Sequence, residues 1–211
     1  MPSAHARPSR DTITGLVLAG GRGSRMGGID KGLIDFDGAP LALRALQRLQ
    51  PQVGRAALSA NRHLDRYREF GVPVWPDTLA DFPGPLAGVL AGLTHCETSW
   101  LVTVACDTPR FPADLVARLA WAATHQPADI VMAASIGSAG LAQPEPAFCL
   151  LRCGLAEDLQ AFLIEGGRRI QDWTERHRTV RAVFDQPFDD PLAFTNANTR
   201  EELAALEKKA A

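Results

Sequence analysis

Several features are missing from this 211-residue chain, and each absence narrows what it can be. Residues 1–10 (MPSAHARPSR) hold no apolar core, so they do not read as a secretory signal and are expected to form a disordered tail. No apolar run approaches the roughly 20 residues that cross a bilayer. The cysteines, Cys96, Cys106, Cys149 and Cys153, contain no Cys-x-x-Cys pair. Three of the four lie in or beside apolar segments, which fits reduced thiols in a cytoplasmic protein better than structural disulfides or a zinc site. An excess of either charge is also missing. With 22 Lys and Arg against 24 Asp and Glu, the net charge of −2 argues against a nucleic-acid surface spread over the whole protein, while leaving room for a local basic pocket. Repeats and low-complexity segments are absent, and the five histidines are scattered with none suggesting a general base.

What is present is concentrated near the amino end. Thr12 to Leu18 is a short apolar run suited to a buried parallel strand, and it runs straight into a glycine cluster. From Gly20 to Gly28 five of nine residues are glycine, with Arg22, Arg25 and Lys31 threaded through and after them. Glycine lets backbone N–H groups close on a bound group, and such amides with nearby cations make a site for a polyphosphate. Two familiar phosphate loops are excluded. The dinucleotide pattern would need a third glycine where Met26 stands, and the P-loop needs Gly-Lys-Ser/Thr, whereas Lys31 follows Asp30 and precedes Gly32.

The rest of the chain alternates strand and helix. Strands are expected at residues 55–60, 72–75, 100–106, 129–135, 148–152 and 180–184, with 33–36 alternating up to a turn at Asp37-Gly38. Helices are expected at 41–50 (ended by Pro51), 63–70, 86–95, 113–124, 155–164, 168–176 and, behind the capping pattern Thr199-x-x-Glu202, up to residue 209. Residues 136–143 read as a glycine-bearing loop. The length suits one domain over residues 11–211. The alternation predicts an α/β protein, a three-layer α/β/α sandwich on a mostly parallel, Rossmann-like sheet, whose ligands bind beyond the carboxyl ends of the strands.

Three side chains fall at expected strand ends on that rim: Asn61, Asp77 and Asp107. Asp107 is the first choice for a magnesium ligand, since Mg2+ takes one or two carboxylates together with phosphate and water oxygens. Lys31 suits a mobile point cation on a phosphate. Asn61 and Asp77 fit turn chemistry as well as ligand contact, Asp77 following Pro76 directly.

Leu18-Ala19-Gly20-Gly21, then Arg25-Met26-Gly27-Gly28 and Asp30-Lys31-Gly32-Leu33, resembles the signature of nucleotidyltransferases, and is most similar to the molybdenum cofactor guanylyltransferase family. The resemblance covers nearly the whole chain beyond the tail, and Asp81-Phe-Pro-Gly-Pro-Leu-Ala-Gly88 belongs to it. It implies a glycosyltransferase-A-like sheet whose N-terminal part binds GTP through Leu18, Ala19, Gly20, Gly21, Lys31, Asn61, Asp77 and Asp107. Arg25 and Lys31 would act on the phosphates and Asp107 would also hold Mg2+. The C-terminal part would bind molybdenum-molybdopterin, with Gln143, Arg168, Asn196 and Asn198 in similar segments, although Arg168 also suits a solvated helix and Asn198 a helix start. The implied reaction is GMP transfer from GTP to the pterin, releasing pyrophosphate. Transient contacts with cofactor-biosynthesis proteins and recipient molybdoenzymes are expected, and neither nucleic acid nor membrane. Alternatives are cytidylyl transfer to the same pterin, nucleotidyl transfer to a sugar phosphate, and a non-enzymatic nucleotide sensor or cofactor-delivery protein. Ala39, where relatives often carry a basic residue, departs from the pattern.

Overall fold

The computed structural model describes residues 7–20, 30–78, 84–137, 139–197 and 199–208. In chain order its strands are β1 (Ile13–Leu18), β2 (Asp35–Phe36), β3 (Ala39–Pro40), β4 (Arg55–Ser59), β5 (Val74–Trp75), β6 (Trp100–Ala105), β7 (Ile130–Ile136), β8 (Ala142–Arg152) and β9 (Thr179–Phe184). The helices are α1 (Leu41–Leu49), α2 (Leu64–Arg68), α3 (Pro85–His95), α4 (Leu115–His125), α5 (Ala156–Ile164), α6 (Ile170–Thr174) and α7 (Arg200–Lys208).

Seven strands form one sheet in the order β5-β4-β1-β6-β8-β7-β9. Every neighbouring pair is parallel except those made by β8, which runs antiparallel between β6 and β7. The mostly parallel α/β sheet is therefore the one expected. β1 sits inside it, buried at every position but its last, which is why its sequence reads as a continuous apolar run rather than an alternation.

Two apolar layers cover the sheet. On one face α1, α2 and α4 bury Leu46, Leu49, Tyr67 and Leu119 against Ile13, Val17 and Val102. On the other α3, α5 and α6 bury Leu90, Leu159, Phe162 and Trp173 against Leu16, Leu101 and Met132. Each fully buried leucine of this kind contributes about 1.5–3 kcal/mol relative to exposure. Gly15 sets the spacing of the first layer, because a Cβ there would stand 2.7 Å from Leu49 Cδ2. A third, smaller cluster joins Phe36 and Leu41 to Leu203 and Leu206 of α7. That helix opens on the expected capping box: Glu202 N donates to Thr199 Oγ1 at 3.1 Å, and Thr199 N to Glu202 Oε2 at 3.2 Å.

Two local expectations are corrected. The strand expected at 148–152 begins six residues earlier, at Ala142, because Pro144 and Pro146 disguise it in the sequence. The loop expected at 136–143 shrinks accordingly to a tight connection in which Gly137 N donates to Leu141 O at 3.0 Å. The helix expected at 41–50 ends at Leu49, and a separate 3-10 turn at Gln50–Gln52 carries Pro51. The segment up to Asp37-Gly38 forms a separate ribbon of β2 and β3, its turn made by left-handed Asp37 (φ 53°) and Gly38 (φ 79°). Residues 1–6 of the expected tail lie outside the described residues, while Arg10 opens a short turn and donates Nε to Val53 O at 3.2 Å. Cys106 and Cys149 are buried, Cys96 and Cys153 partly so. Among the described residues no helix is long and apolar enough to cross a membrane.

Candidate active site

Because β5, β4, β1 and β6 are parallel, the residues that follow them meet on one rim. Backbone pairing continues past the strand ends, with Ala19 N donating to Ser59 O at 2.8 Å, Cys106 N to Leu18 O at 3.2 Å, and Ala60 N to Trp75 O at 3.3 Å. The strand tips are thus held rigidly. A cavity of about 680 Å³ opens over them, lined by Leu18, Ala19, Gly20, Lys31, Asp77 and Asp107 on the nucleotide side of the expected site. The start of α3 borders the same cavity through Gly84 (φ 131°), Pro85 and Gly88, so the positive end of that helix adds to the field there. Gly88 permits a close approach that no side chain would, since a Cβ would lie 2.5 Å from Ser59 Oγ.

Two polar pairs dominate the rim. Lys31 Nζ donates to Asp107 Oδ2 at 2.7 Å, both side chains being mostly shielded. Lys31 is placed by the residue before it: buried Asp30 accepts from Gly32 N at 3.2 Å and from Tyr67 Oη at 2.6 Å. Burial, reinforced by Asp30, pushes the Tyr67 hydroxyl well above its ordinary value, so it remains a donor. Farther along, Asn61 Nδ2 donates to Asp77 Oδ2 at 2.7 Å, and Asp77 N returns a bond to Asn61 Oδ1 at 2.8 Å. Burial raises the Asp77 carboxyl above its ordinary value, and the Asn61 bond opposes that rise.

The expected pterin-side residues are placed unevenly. Asn196 lines the cavity and accepts from buried Thr108 Oγ1 at 2.5 Å, while Ala197 N donates to Asp107 O at 2.9 Å. Gln143 is exposed and lies over Gly137, and is not among the described residues lining the cavity. Neither is Arg168, whose guanidinium donates to Leu163 O at 3.0 Å and Gly167 O at 2.6 Å, closing the end of α5. Gly21, Arg25 and Asn198 lie outside the described residues, as do residues 79–83 of the proline-rich loop.

Sequence reasoning overlooked Glu145, two positions beyond Gln143, and the Pro146 that follows it, although both line the cavity. A break in the ladder explains them. The β7–β8 register jumps from Met132↔Cys149 to Ala133↔Glu145, so residues 146–148 have no partner on β7 and bulge over the rim. Thr103 Oγ1 of β6 holds the bulge by donating to Ala147 O at 2.9 Å. The available signal was the period-2 spacing of Gln143 and Glu145, which the two prolines obscured.

The rim residues fit a magnesium ion arriving on a triphosphate. Asp107 offers one carboxylate, and among the described residues no cluster of three or more His, Cys, Asp or Glu could cage an ion alone. Mg2+ ordinarily takes its remaining ligands from phosphates and water. A larger cavity, about 950 Å³, lies between Arg44, Arg48, Arg110 and Asp190, away from the strand tips. None of Gly20, Lys31, Asp77 and Asp107 is among its lining residues, so the expected site corresponds to the smaller cavity.

A mostly parallel sheet whose tips present Gly20, Lys31 and the carboxylates of Asp77 and Asp107 to one cavity has the layout of an α/β protein of the nucleotide-processing class. The model of the MobA-like NTP transferase domain matches residues 15–211, and the chain belongs to that family of nucleotidyltransferases. Its relatives include a molybdenum cofactor guanylyltransferase of Acidovorax ebreus, 61% identical over 201 residues and covering 92% of this chain and 95% of the relative. A protein of the same name from Albidiferax ferrireducens is 59% identical over 210 residues, covering 97% and 99%. Among solved structures, the molybdopterin-guanine dinucleotide biosynthesis protein A of Archaeoglobus fulgidus superposes with TM-score 0.74 at 22% identity, over 93% of this chain and 98% of that one. A 4-diphosphocytidyl-2C-methyl-D-erythritol synthase from Anaerococcus prevotii gives 0.70 at 10% identity, over 96% and 99%. These two likenesses establish the fold.

Proposed function

We propose that the protein transfers GMP from GTP to the terminal phosphate of molybdenum-molybdopterin, making the guanine dinucleotide form of the cofactor and releasing pyrophosphate. The observation that carries this reading is the convergence of Gly20, Lys31, Asp77 and Asp107 on one cavity in a chain whose full-length relatives bear the guanylyltransferase name. An oxygen of the acceptor phosphate attacks the α-phosphorus of GTP, an oxygen–phosphorus bond forms, and the bond from the α-phosphorus to the bridging oxygen breaks. That oxygen is already anionic, so no side chain need act as nucleophile or strong base. The protein's tasks are alignment and charge neutralisation.

Backbone at Leu18, Ala19 and Gly20 lies against the nucleotide, with Gly21 and Arg25 assigned to the phosphates by family resemblance. Lys31 neutralises phosphate charge, while the mutually bonded Asn61 and Asp77 hold the nucleoside portion. Asp107 would hold Mg2+, which would supply charge neutralisation on the phosphate oxygens and the departing pyrophosphate. Residues 11–211 act as one nucleotidyltransferase domain, its C-terminal part taking the pterin with Asn196 at the junction. The setting is cytoplasmic, with transient contacts to cofactor-biosynthesis proteins and recipient molybdoenzymes. Purified protein given GTP, Mg2+ and molybdenum-molybdopterin should form the dinucleotide with stoichiometric pyrophosphate; absence of pyrophosphate release would refute the activity. A thermal shift larger with CTP than with GTP would overturn the choice of base.

A further inference from the structure

We propose that Glu145 binds the acceptor substrate, its carboxylate accepting hydrogen bonds from an N–H edge of the acceptor's ring system. This rests on the reaction proposed above and adds a residue that the resemblance did not supply.

Position comes first. The cavity follows the sheet order: Asp77, bonded to Asn61, stands beyond β5, Ser59 ends β4, Gly20 lies beyond β1, Asp107 beyond β6, and Glu145 is on β8. With strands about 4.8 Å apart, β4 and β8 are separated by roughly 14 Å along the rim. The Lys31–Asp107 pair lies between. A nucleotide held by Asn61 and Asp77 on one side presents its α-phosphate near Lys31, and the incoming group must approach from the β8 side.

The chemistry of Glu145 is unusual for a structural residue. It is half-buried, and Ser135 Oγ donates to its Oε1 at 2.6 Å. Among the described residues Ser135 is its hydrogen-bond partner, and no Lys, Arg or His pairs with it. Burial raises its carboxyl above the ordinary value, with the Ser135 bond working in the opposite direction. Withdrawing a carboxylate from water without a cation is costly, and such groups in clefts mark sites where a ligand supplies the missing donors. The backbone is arranged to present it. Pro144 and Pro146 contribute no N–H on either side, and the bulge at 146–148 turns this part of β8 over the cavity.

The matching ligand edge is a pair of adjacent N–H donors. The 2-amino-4-oxo pyrimidine part of a pterin offers such a pair, and a carboxylate meets it with two parallel bonds. Guanine carries the same edge, but the rim order puts the nucleoside at the opposite end.

The test is steady-state kinetics of wild type, Glu145→Gln and Glu145→Ala, varying GTP and the molybdenum-loaded acceptor separately, with pyrophosphate release as readout. Glu145→Gln retains shape and one acceptor oxygen, so it separates charge from packing, and thermal unfolding reports folding of each variant. The acceptor KM should rise roughly 10- to 100-fold in Glu145→Gln, the range for losing a charged hydrogen bond, with GTP KM and directly titrated GTP affinity within about twofold of wild type. An unchanged acceptor KM would overturn the inference. A rise in GTP KM alone would also overturn it, by assigning Glu145 to the nucleotide. So would an increased Mg2+ requirement with acceptor KM unchanged, by making Glu145 a metal ligand. Wild-type protein that releases no pyrophosphate would instead refute the reaction itself, an outcome distinct from these three.

Discussion

Lys31 Nζ rests 2.7 Å from Asp107 Oδ2, joining the segment after the glycine cluster to the tip of β6 across 76 positions of sequence. On the role proposed for Asp107, that carboxylate would hold the metal, and Lys31, released from it, would offset phosphate charge, so that neither partner of the shielded pair would be left without an opposite charge.

Replacing Asp107 by Ala should lower turnover by about 10²-fold or more, the usual effect of removing a group that stabilises charge in the transition state. Stability should fall by no more than about 1 kcal/mol, as for other ion pairs near a surface. Pyrophosphate release and thermal unfolding measured on the same preparation check both halves. Retention of turnover would shift the metal to another carboxylate such as Asp77.

Tyr67→Phe tests how Lys31 is held. The substitution removes the donor at 2.6 Å from buried Asp30, leaving Gly32 N as its remaining contact of the pair. The expected loss is about 1–3 kcal/mol in urea unfolding, the cost of depriving a buried acceptor of one partner. A smaller loss in kcat should accompany it, because Tyr67 itself touches no substrate. Wild-type stability in Tyr67→Phe would mean that Asp30 finds water instead.

The contrast between these residues explains what could be read without coordinates. Ile13 to Leu18 and Trp100 to Ala105 pair in parallel and are buried at every position but the last, and such strands announce themselves as apolar runs. Once they are parallel, Gly20 and Asp107 must share a rim, so half of the site followed from topology. Glu145 did not. Its place depends on a register jump opposite Met132 and Ala133, and two prolines made its strand look like a loop. Tyr67 and Asp30 were also invisible, because a contact 37 positions apart leaves no periodic trace. Burial patterns carry strands and helices; they do not carry bulges or buried polar pairs.

Gly88→Ala should damage both fold and site. Its new methyl would lie 2.5 Å from Ser59 Oγ and 3.2 Å from Leu18 Cδ2, where α3 crosses the tips of β4 and β1. The helix must shift or Ser59 must rotate, at about 1–3 kcal/mol for overpacking. Since Gly88 and Ser59 both line the cavity, GTP affinity by calorimetry should weaken along with the melting temperature. The double variant Gly88→Ala with Ser59→Ala should recover part of the stability by removing the opposing hydroxyl.

Asp77→Asn should make the protein more stable near neutral pH while weakening its hold on GTP. Burial raises the Asp77 carboxyl above its ordinary 3.8, so the folded state prefers the protonated form. For such a group the favourable contribution is fully present below the unfolded value and is lost as pH rises through the folded one. At neutral pH the wild-type protein therefore carries an ionised, partly desolvated carboxylate that an amide of the same shape avoids. Asn61 Nδ2 can still donate to the amide oxygen at residue 77, and the backbone bond from residue 77 to Asn61 is untouched. Melting temperatures of wild type and variant, compared across pH, should differ most above the folded value and converge below about pH 3.8, other carboxylates cancelling in the difference. A difference that stays constant with pH would show that the variant acts through packing rather than charge. The cost would appear in calorimetry as weaker GTP binding, the expected signature of a residue kept for its ligand at the expense of the fold.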